Sequence, residues 1–198
     1  MSPKAVLRPL ILASTSRYRA ALLERFGIRF NTASPAVDES PLAGETPRDR
    51  ARRLSDAKAD AVAAQYPDAV VIGGDQVAAS GVTVLHKPGN AARCREQLAL
   101  LSGSTAEFHT ACTVRCRAAS LALTHVDNTR VTFRKLAEAE IARYVDREQP
   151  FDCAGGFKAE ALGITLFDRM DSEDPTAIVG LPLIWLARSL RTAGFTLP

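Results

Sequence analysis

The sequence predicts an α/β protein, a mixed twisted sheet flanked by helices. Three observations lead there. Short apolar runs alternate with segments whose apolar residues recur at helical spacing. Residues 69–72, Ala-Val-Val-Ile, form an unbroken apolar run between Pro67 and Gly73-Gly74, the pattern of a central strand covered on both faces. Phe108, Cys112, Val114 and Cys116 share one face of a period-two pattern, with apolar runs at 121–126 and 129–133 as antiparallel neighbours.

In chain order, residues 10–13 read as a short buried strand. The Ser14-Thr15-Ser16 turn leads into a helix with Leu22, Leu23 and Phe26 inward and Gly27 as its stop. A Pro-punctuated loop then carries Asp38-Glu39-Ser40 to a second helix. There Thr46 caps, Pro47 suits the first helical position and Asp49 resembles a capping-box acid, so the helix runs to about Gln65. After the 69–72 strand a hairpin-like excursion ends at Lys87-Pro88. Asn90 caps a third helix with Cys94, Leu98 and Leu101 inward and Gly103 past its end. Ile141, Tyr144 and Val145 mark a fourth helix, residues 164–167 a further strand, and residues 182–193 a closing helix with Leu183, Leu186 and Leu190 inward. No repeat, low-complexity tract or long linker interrupts this order, so residues 8–196 are expected to form one domain.

The 198 residues carry 25 Lys and Arg against 22 Asp and Glu, a formal net charge of +3. An excess this small argues against a nucleic-acid partner. No apolar run approaches the ~20 residues of a membrane-spanning helix. Lys4 and Arg8 precede only a short apolar stretch, too brief for the core of a secretory signal, and a cytoplasmic protein is expected. Cys94, Cys112, Cys116 and Cys153 lie inside periodic apolar segments and read as reduced thiols.

The residues that carry chemistry cluster at element ends. Ser14 and Ser16 before a helix N-terminus, whose N–H groups point outward, suit an anion, and Arg19 adds a planar cation able to grip phosphate oxygens. Helix capping with solvated arginines explains the same residues without a ligand. Lys58 falls four residues after Leu54 and four before Val62, on the apolar stripe of its helix. Either its ammonium snorkels to water or it meets a negatively charged ligand in a cleft. Gly73-Gly74-Asp75-Gln76 reads as the end of the apolar strand, and ligands collect at the carboxyl ends of central strands. Asp75 there suits a hard divalent cation, with Glu39 as a second carboxylate.

Paired Gly155-Gly156 suggest backbone approaching a ligand, and Glu160 is suited to accept hydrogen bonds from a base edge. Lys158 reads as well as an exposed turn charge. His86, His109 and His125 lack metal-ligand spacing and read as structural or solvated. Neither G-x-x-x-x-G-K-[ST] nor G-x-G-x-x-G occurs.

Several segments acquire meaning from their order and separation. They are Leu12-Ala13-Ser14-x-Ser16-x-x-Arg19, Asp38-Glu39, Ala57-Lys58-Ala59, Gly74-Asp75-Gln76, Lys87-Pro88, Leu101-Ser102-Gly103, Cys153-Ala154-Gly155-Gly156-Phe157-Lys158 and Gly180-Leu181-Pro182. Together they resemble the Maf family of nucleoside triphosphate pyrophosphatases, from Leu10 to about Gly194. Asp75-Gln76 and residues 157–160 resemble its YceF-like branch, associated with 7-methyl-GTP, rather than the branch acting on dTTP and UTP.

The resemblance implies a Maf/ITPase-like cleft between two lobes, a homodimer, and hydrolysis of a nucleotide to its monophosphate and pyrophosphate with Mg²⁺ or Mn²⁺. It implies Asp75 as proton acceptor, and Tyr18, Gln76 and Glu160 as base-specificity positions. Ser14, Arg19, Lys58 and Lys87 would then line the phosphate site, with Glu39 and Asp75 toward the metal. Physics supports such a substrate: an aromatic ring stacks on a cationic 7-methylguanine, and a carboxylate receives its edge donors. A non-catalytic nucleotide-binding regulator of cell division is the rival reading. It would have no need of a water-activating carboxylate.

Overall fold

The computed structural model describes residues 8–198, so Lys4 lies outside the described residues. Seven strands, β1 (Leu10–Ala13), β2 (Asn31–Ala33), β3 (Val70–Ser80), β4 (Thr83–Leu85), β5 (Thr105–Cys116), β6 (Leu121–Phe133) and β7 (Phe167–Asp171), form one sheet. Five helices flank it: α1 (Arg17–Glu24), α2 (Pro47–Gln65), α3 (Ala91–Leu101), α4 (Glu138–Glu148) and α5 (Leu183–Thr192). The strand order is β2-β1-β3-β5-β6-β7, with β4 also paired to β3. The β2, β1 and β3 strands run parallel and the remaining pairings are antiparallel, as the mixed reading expects.

Helix α2 covers one face of the sheet. Its inward row of Ala51, Leu54, Ser55, Lys58, Ala59, Val62 and Ala63 has the expected helical spacing. Polar contacts fix its rotation: Arg115 on β5 pairs with Asp56 at 2.8 Å and Asp60 at 3.0 Å, and Ser55 donates to Thr113 at 3.0 Å. The opposite face carries two separate apolar cores. One joins α1 and α5 through Leu22, Leu23, Leu186 and Leu190; the other joins α3 and α4 through Leu98, Leu101, Ile141 and Val145.

Three expectations change, and one strand carries no sequence signal. The 69–72 strand does not end at Gly73-Gly74, because β3 continues to Ser80 and places Asp75 and Gln76 mid-strand. Its antiparallel ladder with β5 carries the backbone through the glycines without a break. The runs at 121–126 and 129–133 are one strand, since Asp127 and Asn128 pair with Thr110 and His109 inside the β5–β6 ladder. Residues 164–166 belong to a 3-10 turn, Leu162–Leu166, and β7 begins only at Phe167. Strand β2, short and polar, carries no apolar signal and was not anticipated.

The length of β3 creates a window in the sheet. Parallel β1 pairs with it only as far as Gly73, and β4 joins the same edge only from Ala78. Residues 74–77 therefore have a strand neighbour on the β5 side alone. Both Asp75, which faces α2, and Gln76, which faces the opposite side, open onto that gap.

Gly73 lets α2 sit against this segment. A Cβ there would collide with the Ser55 backbone carbonyl and lie 2.8 Å from the Ala59 Cβ. Gly73→Ala is expected to cost about 1–3 kcal/mol, the usual cost of overpacking, measured as a lower midpoint of urea unfolding. An unchanged midpoint would show that α2 can move off the strand.

Candidate active site

The window opens into a cleft of about 680 Å³ beyond the carboxyl end of β1, bordered by the α1 N-terminus, α2 and residues 152–160 and 178–180. That volume suits a nucleotide-sized ligand. All nine of the side chains singled out from the sequence line it: Ser14, Tyr18, Arg19, Glu39, Lys58, Asp75, Gln76, Lys87 and Glu160.

Lys58 is not snorkelling to water. Its side chain is only 8% exposed, and Nζ lies 2.7 Å from Asp75 Oδ1 and 2.7 Å from Glu39 Oε1. Burial pushes the Asp75 pKa above its ordinary value, opposed by the nearby Lys58 and Arg19 cations. Glu39 reaches in from an exposed loop that Arg50 steadies by donating to its backbone carbonyl at 2.9 Å.

Arg19 is threaded between two glycines. A Cβ on Gly74 would lie 3.3 Å from Arg19 Nε, and one on Gly180 would lie 3.2 Å from Arg19 Cγ. Its Nε donates to the Gly180 carbonyl at 3.1 Å, and Nη1 to Ser14 Oγ at 3.4 Å. The turn presenting that carbonyl is itself pinned. Asp174 accepts from Ile184 N at 2.6 Å and Thr176 from Leu183 N at 2.9 Å, supplying the α5 cap that Pro182 cannot. Ser16 does cap α1 through the Arg19 N–H, and Ser14 accepts from Ser16 N at 3.1 Å. Capping and anion binding are compatible here, because the Arg17 and Tyr18 N–H groups take no protein acceptor among the described residues.

Gln76 is committed to the protein. Its Nε2 lies 2.8 Å from Thr110 Oγ1 and 3.1 Å from each of the Ala177 and Ile178 carbonyls, so only Oε1 is left for a ligand. Glu160 and Lys87 line the cleft and are exposed. Lys158 turns away to pair with Glu148 at 3.0 Å. Gly155-Gly156 also face protein rather than ligand: both have positive φ, and a Cβ on Gly156 would meet Cys94 Sγ at 2.9 Å. His125 stacks on Trp185, consistent with a structural role.

Asp152 and Arg17 also line the cleft and carry no motif that would single them out. Only the fold brings Asp152 onto α1, where it accepts from the Tyr18 hydroxyl at 3.0 Å and from Arg17 at 3.0 Å.

No group of three or more His, Cys, Asp and Glu side chains arranged for a metal occurs among the described residues. Glu39 and Asp75 nevertheless converge on one cation, Lys58, and both offer hard oxygen donors. A pair of carboxylates fits Mg²⁺ or Mn²⁺, which keep water and phosphate oxygens as their other ligands.

The family model for Maf-like proteins matches residues 9–193. The chain belongs to the Maf family. Among similar proteins, the 7-methyl-GTP pyrophosphatase of Aromatoleum aromaticum is 54% identical over 190 residues, covering 96% of this chain and 97% of that one. The protein of that name from Xanthomonas oryzae is 53% identical, covering 96% and 98%. That of Burkholderia orbicola is 52% identical, covering 98% and 95%. Among solved structures, the HAM1 protein from Coxiella burnetii has a TM-score of 0.43 at 13% identity, over 66% of this chain and 75% of that one. Within this Maf protein no helix among the described residues is long and apolar enough to cross a membrane.

Proposed function

We propose that this Maf protein is a pyrophosphatase acting on 7-methyl-GTP, cleaving between the α- and β-phosphates, with residues 8–196 as its single catalytic domain. The observation that carries the reading is the buried Asp75 carboxylate on the cleft floor, with Lys58 at 2.7 Å and Arg19 beside it. The names of the similar proteins support the substrate.

Phosphates occupy the end of the cleft bounded by the α1 N-terminus, Ser14, Arg19, Lys58 and Lys87. Three cations against two carboxylates, Glu39 and Asp75, leave one net positive charge facing a polyanion. A divalent cation held by Glu39 and Asp75 would supply further charge neutralisation at the phosphates. Asp75 takes a proton from water as the water oxygen bonds to the α-phosphorus. The bond to the bridging oxygen breaks, and pyrophosphate leaves with its electron pair, stabilised by the cations. At the other end Tyr18 offers a ring face and Glu160 a carboxylate to the charged base, while Gln76 holds the turn at 177–178 and offers Oε1.

The cell-division regulator reading draws no support from the relatives, which are named as enzymes. Four free thiols accord with the cytoplasm as its compartment. The homodimer implied by the resemblance is tested by light scattering.

The test is pyrophosphate release with Mg²⁺ or Mn²⁺ from 7-methyl-GTP, GTP, UTP, CTP, dTTP and ATP. Preference for 7-methyl-GTP is expected, and Glu160→Gln should reduce it by roughly 5- to 100-fold, the scale of one base-edge pairing. Release mainly from pyrimidine nucleotides would discard the base assignment. Binding without release from any nucleotide would discard the enzyme.

A further inference from the structure

The mouth of the cleft holds an arrangement that the phosphate chemistry does not use. Arg17 lays its guanidinium over the Tyr18 ring, with Cζ 4.9 Å from the centroid. Its Nη2 donates to Tyr18 Oη at 2.9 Å and to Asp152 Oδ2 at 3.0 Å. The Tyr18 hydroxyl in turn lies 3.0 and 3.1 Å from the two Asp152 oxygens. Burial works against ionisation of Asp152, but the Tyr18 hydroxyl and the Arg17 charge outweigh it and hold its pKa below the ordinary value. The carboxylate is therefore charged at neutral pH.

A guanidinium is a flat, delocalised cation with N–H donors along its edge. An N7-methylated guanine is also flat, carries a delocalised positive charge and presents N–H donors along one edge. The two would use the same protein surface, ring face on Tyr18 and donor edge on a carboxylate. We propose that Arg17 is an internal competitor for a cationic base, holding the same place on Tyr18, and that Asp152, a second carboxylate in addition to Glu160, is the group over which they compete. The inference deepens the 7-methyl-GTP reading and rests on it.

The competitor is weakly held, as one that must yield should be. The Arg17 side chain is 73% exposed and that of Asp152 46%. Exposed ion pairs and exposed cation–π contacts are both weak, so displacing Arg17 costs roughly three- to tenfold in affinity. A cationic base repays this by replacing the charge on Asp152. A neutral guanine has no charge to exchange, and it binds with the Arg17–Asp152 pair left in place. Asp152 thus favours a cationic base and Arg17 limits how tightly that base is held, both apart from the cations at the phosphate end.

The experiment measures calorimetric Kd values for 7-methyl-GMP and GMP with the full chain, wild type, Arg17→Ala and Asp152→Asn, and pyrophosphate release by the wild type from 7-methyl-GTP. Both substitutions are at exposed positions, and Arg17→Gln provides a second variant that keeps a polar residue at the helix start. Arg17→Ala and Arg17→Gln should tighten 7-methyl-GMP about three- to tenfold without tightening GMP. Asp152→Asn should weaken 7-methyl-GMP and lower its preference over GMP. If the wild type hydrolyses 7-methyl-GTP but the Arg17 variants bind 7-methyl-GMP no tighter, the inference is overturned and the activity stands. Equal tightening of both nucleotides overturns it too. If the wild type neither hydrolyses 7-methyl-GTP nor prefers 7-methyl-GMP, the activity reading and the inference fall together.

Discussion

Asp75→Asn should bind nucleotide yet release pyrophosphate about 10²–10⁴-fold more slowly, the usual contribution of a positioned general base. Asn keeps the shape of the side chain and an oxygen for the Lys58 ammonium, now at 2.7 Å, but it has no basic site to take the proton from water. Because burial raises the Asp75 pKa, the wild-type kcat/KM should fall at a pH above the ~3.9 of an ordinary aspartate as the base becomes protonated. Asp75→Asn should abolish that limb. Wild-type turnover in the variant would remove Asp75 as the base.

The same shift makes a prediction about stability. A carboxyl whose folded pKa is raised favours the folded state most below its unfolded pKa, and that contribution is lost as pH rises through the folded value. Asp75 should therefore cost stability once the pH is above its folded pKa, and Asp75→Asn, which leaves Lys58 its 2.7 Å ion pair with Glu39, should be more stable than the wild type there. The gain should shrink toward pH 4. A conserved gain across this range would mean that charge burial is not its source.

Lys58→Met should have the second large effect, through the same carboxylate. Lys58 opposes the rise in the Asp75 pKa, so its loss should move the acid limb of kcat/KM to still higher pH and lower turnover at neutral pH. Removing one partner of a buried ion pair costs on the order of 3 kcal/mol. Here that cost should be largest where Asp75 is ionised and diminish as Asp75 is protonated on acidification. Urea unfolding at pH 5 and pH 8 reads the difference. Unchanged nucleotide handling in Lys58→Met would remove Lys58 from the phosphate site.

How much of this could be read without coordinates depended on the range of each signal. Lys58 stood out because a cation on an apolar helical stripe conflicts with its immediate neighbours. Helix α2 was bounded by Thr46, Pro47 and Asp49, whose capping contacts span three residues, and Thr46 indeed accepts from Asp49 N at 3.1 Å. The end of β3 is not legible locally, because two glycines resemble a terminus, whereas the β5 ladder extends the strand past them. Strand β6 was divided at Asp127-Asn128 for a similar reason: polarity suggests a turn, but Ser172 and Thr129 lie 3.4 Å from the buried Asp127 carboxylate.

The mixed α/β class, the family resemblance, the apolar faces and the residue types suited to phosphate and a charged base are all legible in the amino-acid order. These follow from patterns repeated over a few residues and from motifs in a fixed order. The fold alone shows that β1 stops short of Asp75 and β4 starts beyond it, which opens the window where those residues meet. Only it brought Asp152 onto Arg17 and Tyr18, across more than 130 residues of chain. Contacts of that kind depend on how far neighbouring strands extend and how the chain returns, and no local periodicity encodes either.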